Sequence, residues 1–194
     1  MFTSLKQRAV TRRTSREVYG SIVTQARHET FYREWGVPDT MEGRVEMIIL
    51  HTALVLDRLS REGEGAMALG QAVTEAYIAD IDDALRQIGT GDMGVPRRVK
   101  KAAAALRERR LAYGKALDSD NPDDLAGAVR GFVYPDAEGA PRQADAAAAF
   151  ATYIRGVSAD LAAVPQQALF SGAISFRAPE DRADVATATT ERLP

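Results

Sequence analysis

Apolar residues recur at three- and four-residue spacing along most of the chain, the pattern of amphipathic helices, and no alternating stretch of useful strand length interrupts it. From Ser15 to Arg33, Val18, Tyr19, Ile22, Val23, Ala26 and Phe31 share one face, with Thr14 or Ser15 placed to cap the helix. Gly36-Val37-Pro38 ends it, and Asp39-Thr40-Met41-Glu42 has the Asp-x-x-Glu form of a capping box, which satisfies orphan backbone N–H groups at a new helix start. The second helix is predicted over 40–61. At about 100° per residue, Met41, Val45, Ile48, Ile49, Thr52, Leu56 and Leu59 lie on one face, and Met47, Leu50 and Leu54 on nearly the opposite one. A helix apolar on two sides is predicted to be central. Arg44, His51 and Arg58 form a stripe between the two sectors, so Arg44 and His51 are expected to be buried and to need hydrogen-bond partners.

A third helix is predicted over 66–88, with Val73, Tyr77, Ile81, Ala84, Leu85 and Ile88 on its inner face, Asp80 and Asp82 at the edges of that face, and Asp83 pointing away. The stretch containing Gly89, Gly91, Asp92 and Gly94 is a corner, and Pro96 suits the first turn of a fourth helix over 96–117 that buries Val99, Ala102, Leu106, Tyr113 and Leu117. Asn121-Pro122-Asp123-Asp124 combines a cap, an early proline and two acids at the positive end of the dipole, and opens a short helix to about 132. A loop over 134–141, an Ala-rich helix over 143–162 and a last apolar piece reaching Leu169 and Phe170 complete the pattern. The expected fold is a single all-α domain of about six to seven helices over 15–175, with no significant sheet. A basic segment, 1–14, and a polar tail, 176–194, are expected to be flexible.

Composition narrows the function classes. The chain of 194 residues holds two His and no Cys, which excludes disulfide scaffolds, cysteine nucleophiles and cysteine-ligated metals, and leaves a zinc or haem site without ligands at suitable spacing. Its longest apolar run, from Met47 to Leu56, is broken by His51 and Thr52 and is far short of the roughly 20 residues that span a bilayer. The net charge of −2 hides segregation: residues 1–33 carry +5, 34–93 carry −8, 94–116 carry +7 and 117–194 carry −6. Arg97, Arg98, Lys100, Lys101, Arg107, Arg109 and Arg110 face Glu108 alone in their stretch of helix. Such a face either docks on phosphate or another acidic surface, or pairs with the chain's own acidic segments. No DNA-binding motif is present and no DNA partner is expected.

One catalytic pattern is present. Asp80-Ile81-Asp82-Asp83 has the Asp-x-Asp-Asp form by which some terpene cyclases protonate an alkene, which makes a helical enzyme acting on a prenyl or terpenoid substrate the alternative reading. Helical geometry opposes it, because Asp80 and Asp82 stand about 200° apart on a continuous helix.

The run Tyr32-Arg33-Glu34-Trp35-Gly36-Val37-Pro38-Asp39-Thr40-Met41-Glu42-Gly43-Arg44, then Leu50-His51, then the stretch from Asp80 through Leu85, Arg86, Gly89 and Gly91 to Asp92, then Val95-Pro96-Arg97-Arg98-Val99-Lys100, resembles the ubiquinol-cytochrome c chaperone family. Its members are assembly factors for cytochrome b of the respiratory bc1 complex. Three positions depart from the family pattern: Val45 replaces an aromatic residue, Gln87 an acid, and Arg109 a glycine before Arg110, the last adding charge to the basic helix. The resemblance implies a non-enzymatic, all-helical protein without cofactor that holds newly made cytochrome b. It also implies a place on the cytoplasmic face of the inner membrane, or the matrix side in an organelle, as a peripheral protein. Mitochondrial members are associated with the ribosome near the tunnel exit and act with a second small assembly protein. Asp39, Thr40, Gly43, Arg44, His51, Asp80, Asp82, Leu85, Arg86, Gly89, Gly91 and Asp92 are the motif residues, and Arg44 and His51 with Asp80 or Asp82 are expected to form an internal polar network. Arg97, Arg98, Lys100, Lys101, Arg107 and Arg110 form the candidate docking face.

Overall fold

A computed structural model describes residues 2–87, 94–135 and 141–180, except the side chains of 2–6, Glu64 and 141–143. Among them the chain forms eight helices: α1 (Phe2–Ala26), α2 (Glu29–Arg33), α3 (Met41–Ser60), α4 (Glu64–Gln87), α5 (Val95–Leu117), α6 (Pro122–Val133), α7 (Pro141–Ala163) and α8 (Gln166–Phe170). The all-α expectation holds, and α2 and α8 are short helices of five residues each. Helix α3 is central, packing against α1, α4, α5, α6 and α7, and it buries every residue from Glu46 to Leu56. Two-sided apolarity therefore reported its position correctly. Around it, Ile22, Phe31, Tyr77, Tyr113, Leu125, Phe150, Ile154, Leu161 and Leu169 are among the fully buried large side chains. Each contributes roughly 1.5–3 kcal/mol on burial.

Local signals fix the starts of α3 and α6. The Thr40 hydroxyl accepts from the Gly43 N–H at 3.2 Å, and the Asn121 side chain accepts from the Asp123 N–H at 3.1 Å. The cap of α3 is thus Thr40, one residue later than the expected Asp39 box, so Glu42 does not stand at the position that would complete the reciprocal bond.

The expected first helix is two. α1 stops at Ala26, and the His28 side chain accepts from the Thr30 N–H to start α2. At its other end α1 begins at Phe2, so the expected basic segment is part of the helix. Thr14 and Ser15, expected as caps, are buried within α1, and Thr14 Oγ1 donates to the Phe170 carbonyl at 3.3 Å. Packing against α4 and the Thr14–Phe170 bond to α8 hold a basic segment that periodicity alone did not mark as helical.

The first residues of the expected tail, 176–180, are placed against the body. Residues 173–180 run extended over the body: Ile174 is buried, the Phe176 ring stands edge-on to His51 at 5.4 Å, and Arg177 grips Asp160 through two contacts of 2.7 Å. Residues 181–194 and the Gly89, Gly91 and Asp92 positions lie outside the described residues.

Candidate functional site

Motif residues 32–44 build the turn between α2 and α3. Gly36 takes φ 68°, a left-handed conformation that favours glycine, and the Val37 N–H returns to the Phe31 carbonyl at 2.9 Å. The chain then passes so close to α3 that a Cβ on Gly43 would sit 2.0 Å from the Pro38 carbonyl oxygen. The turn carries Trp35 inward, edge-on to Phe150 at 4.6 Å and to Phe31 at 5.4 Å, while Phe31 stacks on Phe150 at 5.5 Å. The Tyr134 hydroxyl donates to the Trp35 carbonyl at 2.6 Å, and the Trp35 indole N–H to the Glu180 carbonyl at 3.2 Å. Residues from α2, α6, α7 and the extended 173–180 segment thereby meet at one aromatic node.

His51 lies at the centre of that node with no exposure. Its Nδ1 is 2.7 Å from the Met47 carbonyl, which can only accept, so Nδ1 carries the proton and Nε2 accepts from the Tyr153 hydroxyl at 2.8 Å. Tyr153 in turn accepts from Gln25 at 2.9 Å. Burial, partly opposed by the Met47 bond, lowers the His51 pKa to about 4, and burial also raises that of Tyr153. The imidazole is neutral at physiological pH.

The expected polar network does not form. Arg44 is on the surface, its Nε 2.7 Å from Asp39 and its guanidinium 5.9 Å from the Tyr32 ring, and both members of the ion pair are 57% exposed. Asp80 accepts from the Tyr19 hydroxyl at 2.8 Å, and Asp82 pairs with Arg86 one turn on at 2.8 Å. Leu85 is half-buried against the core. His51 meets none of these groups. The three carboxylates of 80–83 diverge, Asp83 being exposed, so they do not converge on one substrate atom.

The buried ion pair lies elsewhere. Arg109 turns inward from α5 and binds Glu46 of α3 through Nε–Oε1 at 3.1 Å and Nη2–Oε2 at 3.3 Å, with its guanidinium 4.3 Å from the centre of the Phe132 ring. Burial raises the Glu46 pKa even though Arg109 acts to lower it. Arg109 therefore does not add charge to the outer face. Tyr113, beside this pair, keeps a buried hydroxyl with no partner among the described residues. Glu46 gave no sequence signal beyond an acid on an apolar helix.

Arg58, on the predicted stripe, is partly covered by α7: it donates to the carbonyls of Leu161 at 2.7 Å and Val164 at 3.1 Å and contacts Glu62. A cation on the final carbonyls of α7 favours its negative dipole end.

On α5, Arg97, Arg98, Lys100, Lys101 and Arg107 are exposed and Arg110 half-exposed, and none forms an ion pair among the described residues. The described acidic residues do not pair with this face. Leu111, 65% exposed, stands one turn beyond Arg107. Among the described residues no group of His, Asp and Glu is arranged to hold a metal ion, and no helix is long and apolar enough to cross a membrane.

A family model described as ubiquinol-cytochrome C chaperone matches residues 33–176. Among solved structures, the crystal structure of the Cbp3 homolog from Brucella abortus is similar to this chain at 36% identity with a TM-score of 0.79, covering 91% of this chain and 97% of that one. No curated protein matches.

Proposed function

The chain belongs to the ubiquinol-cytochrome C chaperone family, and we propose on that premise that it is a non-enzymatic assembly factor that binds newly made cytochrome b and supports assembly of the bc1 complex. The α5 face is its docking surface for ribosomal RNA near the tunnel exit, and a second small assembly protein works with it. It acts as a peripheral protein at the cytoplasmic face of the inner membrane, where a membrane-embedded client is made. The observation that carries the docking reading is the run of exposed cations on α5 without ion-pair partners among the described residues. A face neutralised from within would have little left to offer a polyanion.

Deletion of the protein is expected to lower assembled bc1 complex and b-type haem absorbance while the cytochrome b transcript is unchanged; normal haem spectra would refute the assembly role. Affinity purification from native membranes is expected to recover cytochrome b. Changing Arg97, Arg98, Lys100 and Lys101 to Gln should flatten the salt dependence of ribosome co-sedimentation by about one unit of log–log slope per lost phosphate contact, with little change in the unfolding curve. Unchanged sedimentation would remove the docking role of α5.

A further inference from the structure

The basic N-terminal half of α1 is not used by that reading, and α5 does not absorb it. Arg8, Arg12, Arg13 and Arg16 are exposed, and among the described residues only Arg13 has an ion-pair partner, Glu17 at 2.9 Å. The inner side of the same helix is taken up by Thr14, Ser15, Val18, Tyr19 and Ile22, so the arginines project from a helix already fixed to the body. Across a shallow groove Arg8 and Arg12 face Gln71, Ala72 and Glu75 of α4. The first turn of α1 contains no acid.

Apolar side chains accompany this charge. Val10 is 55% exposed beside Arg13 and Phe170, and Met67, in the first turn of α4 just ahead of the groove-lining Ala68, is 64% exposed. These are two of the four large hydrophobic residues exposed on the described surface. Cations interspersed with aliphatic side chains on a surface-lying helix match a bilayer interface: guanidinium groups meet headgroup phosphates while the aliphatic groups enter the acyl boundary.

We propose that the outer face of the N-terminal half of α1, together with Met67, is a docking surface for an anionic lipid bilayer. This deepens the membrane-side placement proposed above and rests on it. It orients the protein with α1 along the bilayer.

The full chain is expected to co-sediment with phosphatidylcholine vesicles containing phosphatidylglycerol and not with pure phosphatidylcholine vesicles, and to be released by high salt. An arginine near an anionic surface contributes about fivefold in affinity, so Arg8→Gln, Arg12→Gln and Arg16→Gln together should weaken binding by about a hundredfold, with circular dichroism and thermal unfolding unchanged. Val10→Ser with Met67→Gln should weaken binding several-fold while leaving its salt dependence intact. The fourfold Gln variant of α5 should bind vesicles as the parent does. Equal binding to neutral vesicles, unchanged binding of the triple variant, or tighter binding of this face to single-stranded RNA than to anionic vesicles at the same salt would each overturn the proposal. Loss of vesicle binding with cytochrome b still co-purifying would overturn this surface alone, whereas vesicle binding without cytochrome b would support the surface and refute the assembly reading.

Discussion

Replacing Arg109 by Met removes the cation from the α3–α5 interface and leaves the Glu46 carboxylate facing an apolar side chain. The pair is well shielded, with side-chain exposures of 18% and 12%, and it is bidentate. Breaking such a pair costs on the order of 3–5 kcal/mol, and residual exposure argues for the lower end, about 3 kcal/mol, of which loss of the contact with Phe132 contributes about 1. The cost also has a ceiling, because an unpaired buried carboxylate can take a proton. The Glu46 pKa is already raised by burial, so the native state holds that proton more readily than the unfolded chain does. Its contribution is therefore fully present below the unfolded value and is lost as pH rises through the folded one. Without Arg109 the folded pKa rises further, so Arg109→Met should cost about 3 kcal/mol at pH 7 and distinctly less at pH 5. In the double variant with Glu46→Leu no buried charge is left uncompensated, only the exposed Glu108 losing its contact with Arg109, and the cost should fall to about 1 kcal/mol, giving a coupling of about 2 kcal/mol. Urea unfolding of the four proteins at both pH values measures all these quantities. Additivity within about 0.5 kcal/mol, with an Arg109→Met cost that does not depend on pH, would refute the pairing.

His51 should make stability fall on the acid side: its folded pKa of about 4 lies below the ordinary histidine value of 6.5, so the unfolded chain binds the proton first and stability is lost as pH drops from 6.5 through 4. His51→Leu should flatten that part of the curve, and an unchanged slope between pH 7 and 4 in chemical unfolding would refute it. Gly43→Ala forces the Pro38 carbonyl away from α3 and should destabilise by about 1–3 kcal/mol, read as a lowered melting temperature; an unchanged temperature would show that the turn can yield. Arg44→Ala removes only a solvated pair with Asp39 and should leave the urea midpoint nearly where it was, whereas a large drop would restore Arg44 to an internal network.

The stripe of Arg44, His51 and Arg58 shows where local pattern stops being informative. Helical periodicity gave these residues one angular position on α3, and the structure keeps it. Exposure then depends on position along the axis, which periodicity does not encode: the first turn of α3 is bordered by a loop and leaves Arg44 in water, Tyr153 of α7 and Phe176 close over His51, and the end of α7 lowers its carbonyls onto Arg58. The partner of the buried arginine was likewise invisible, since Glu46 and Arg109 are 63 residues apart and meet only because α3 and α5 cross there. In the same way the extended 173–180 segment has no period of its own and is held by groups on α1, on α7 and in the turn between α2 and α3. What the sequence determined by itself was what nearest neighbours decide: the long helices, the cap at Asn121, the glycine turn at Gly36, and the centrality of a helix apolar on two sides. Which polar groups are buried, and with whom, was decided by the tertiary structure, because desolvation and pairing depend on surfaces that distant segments bring together.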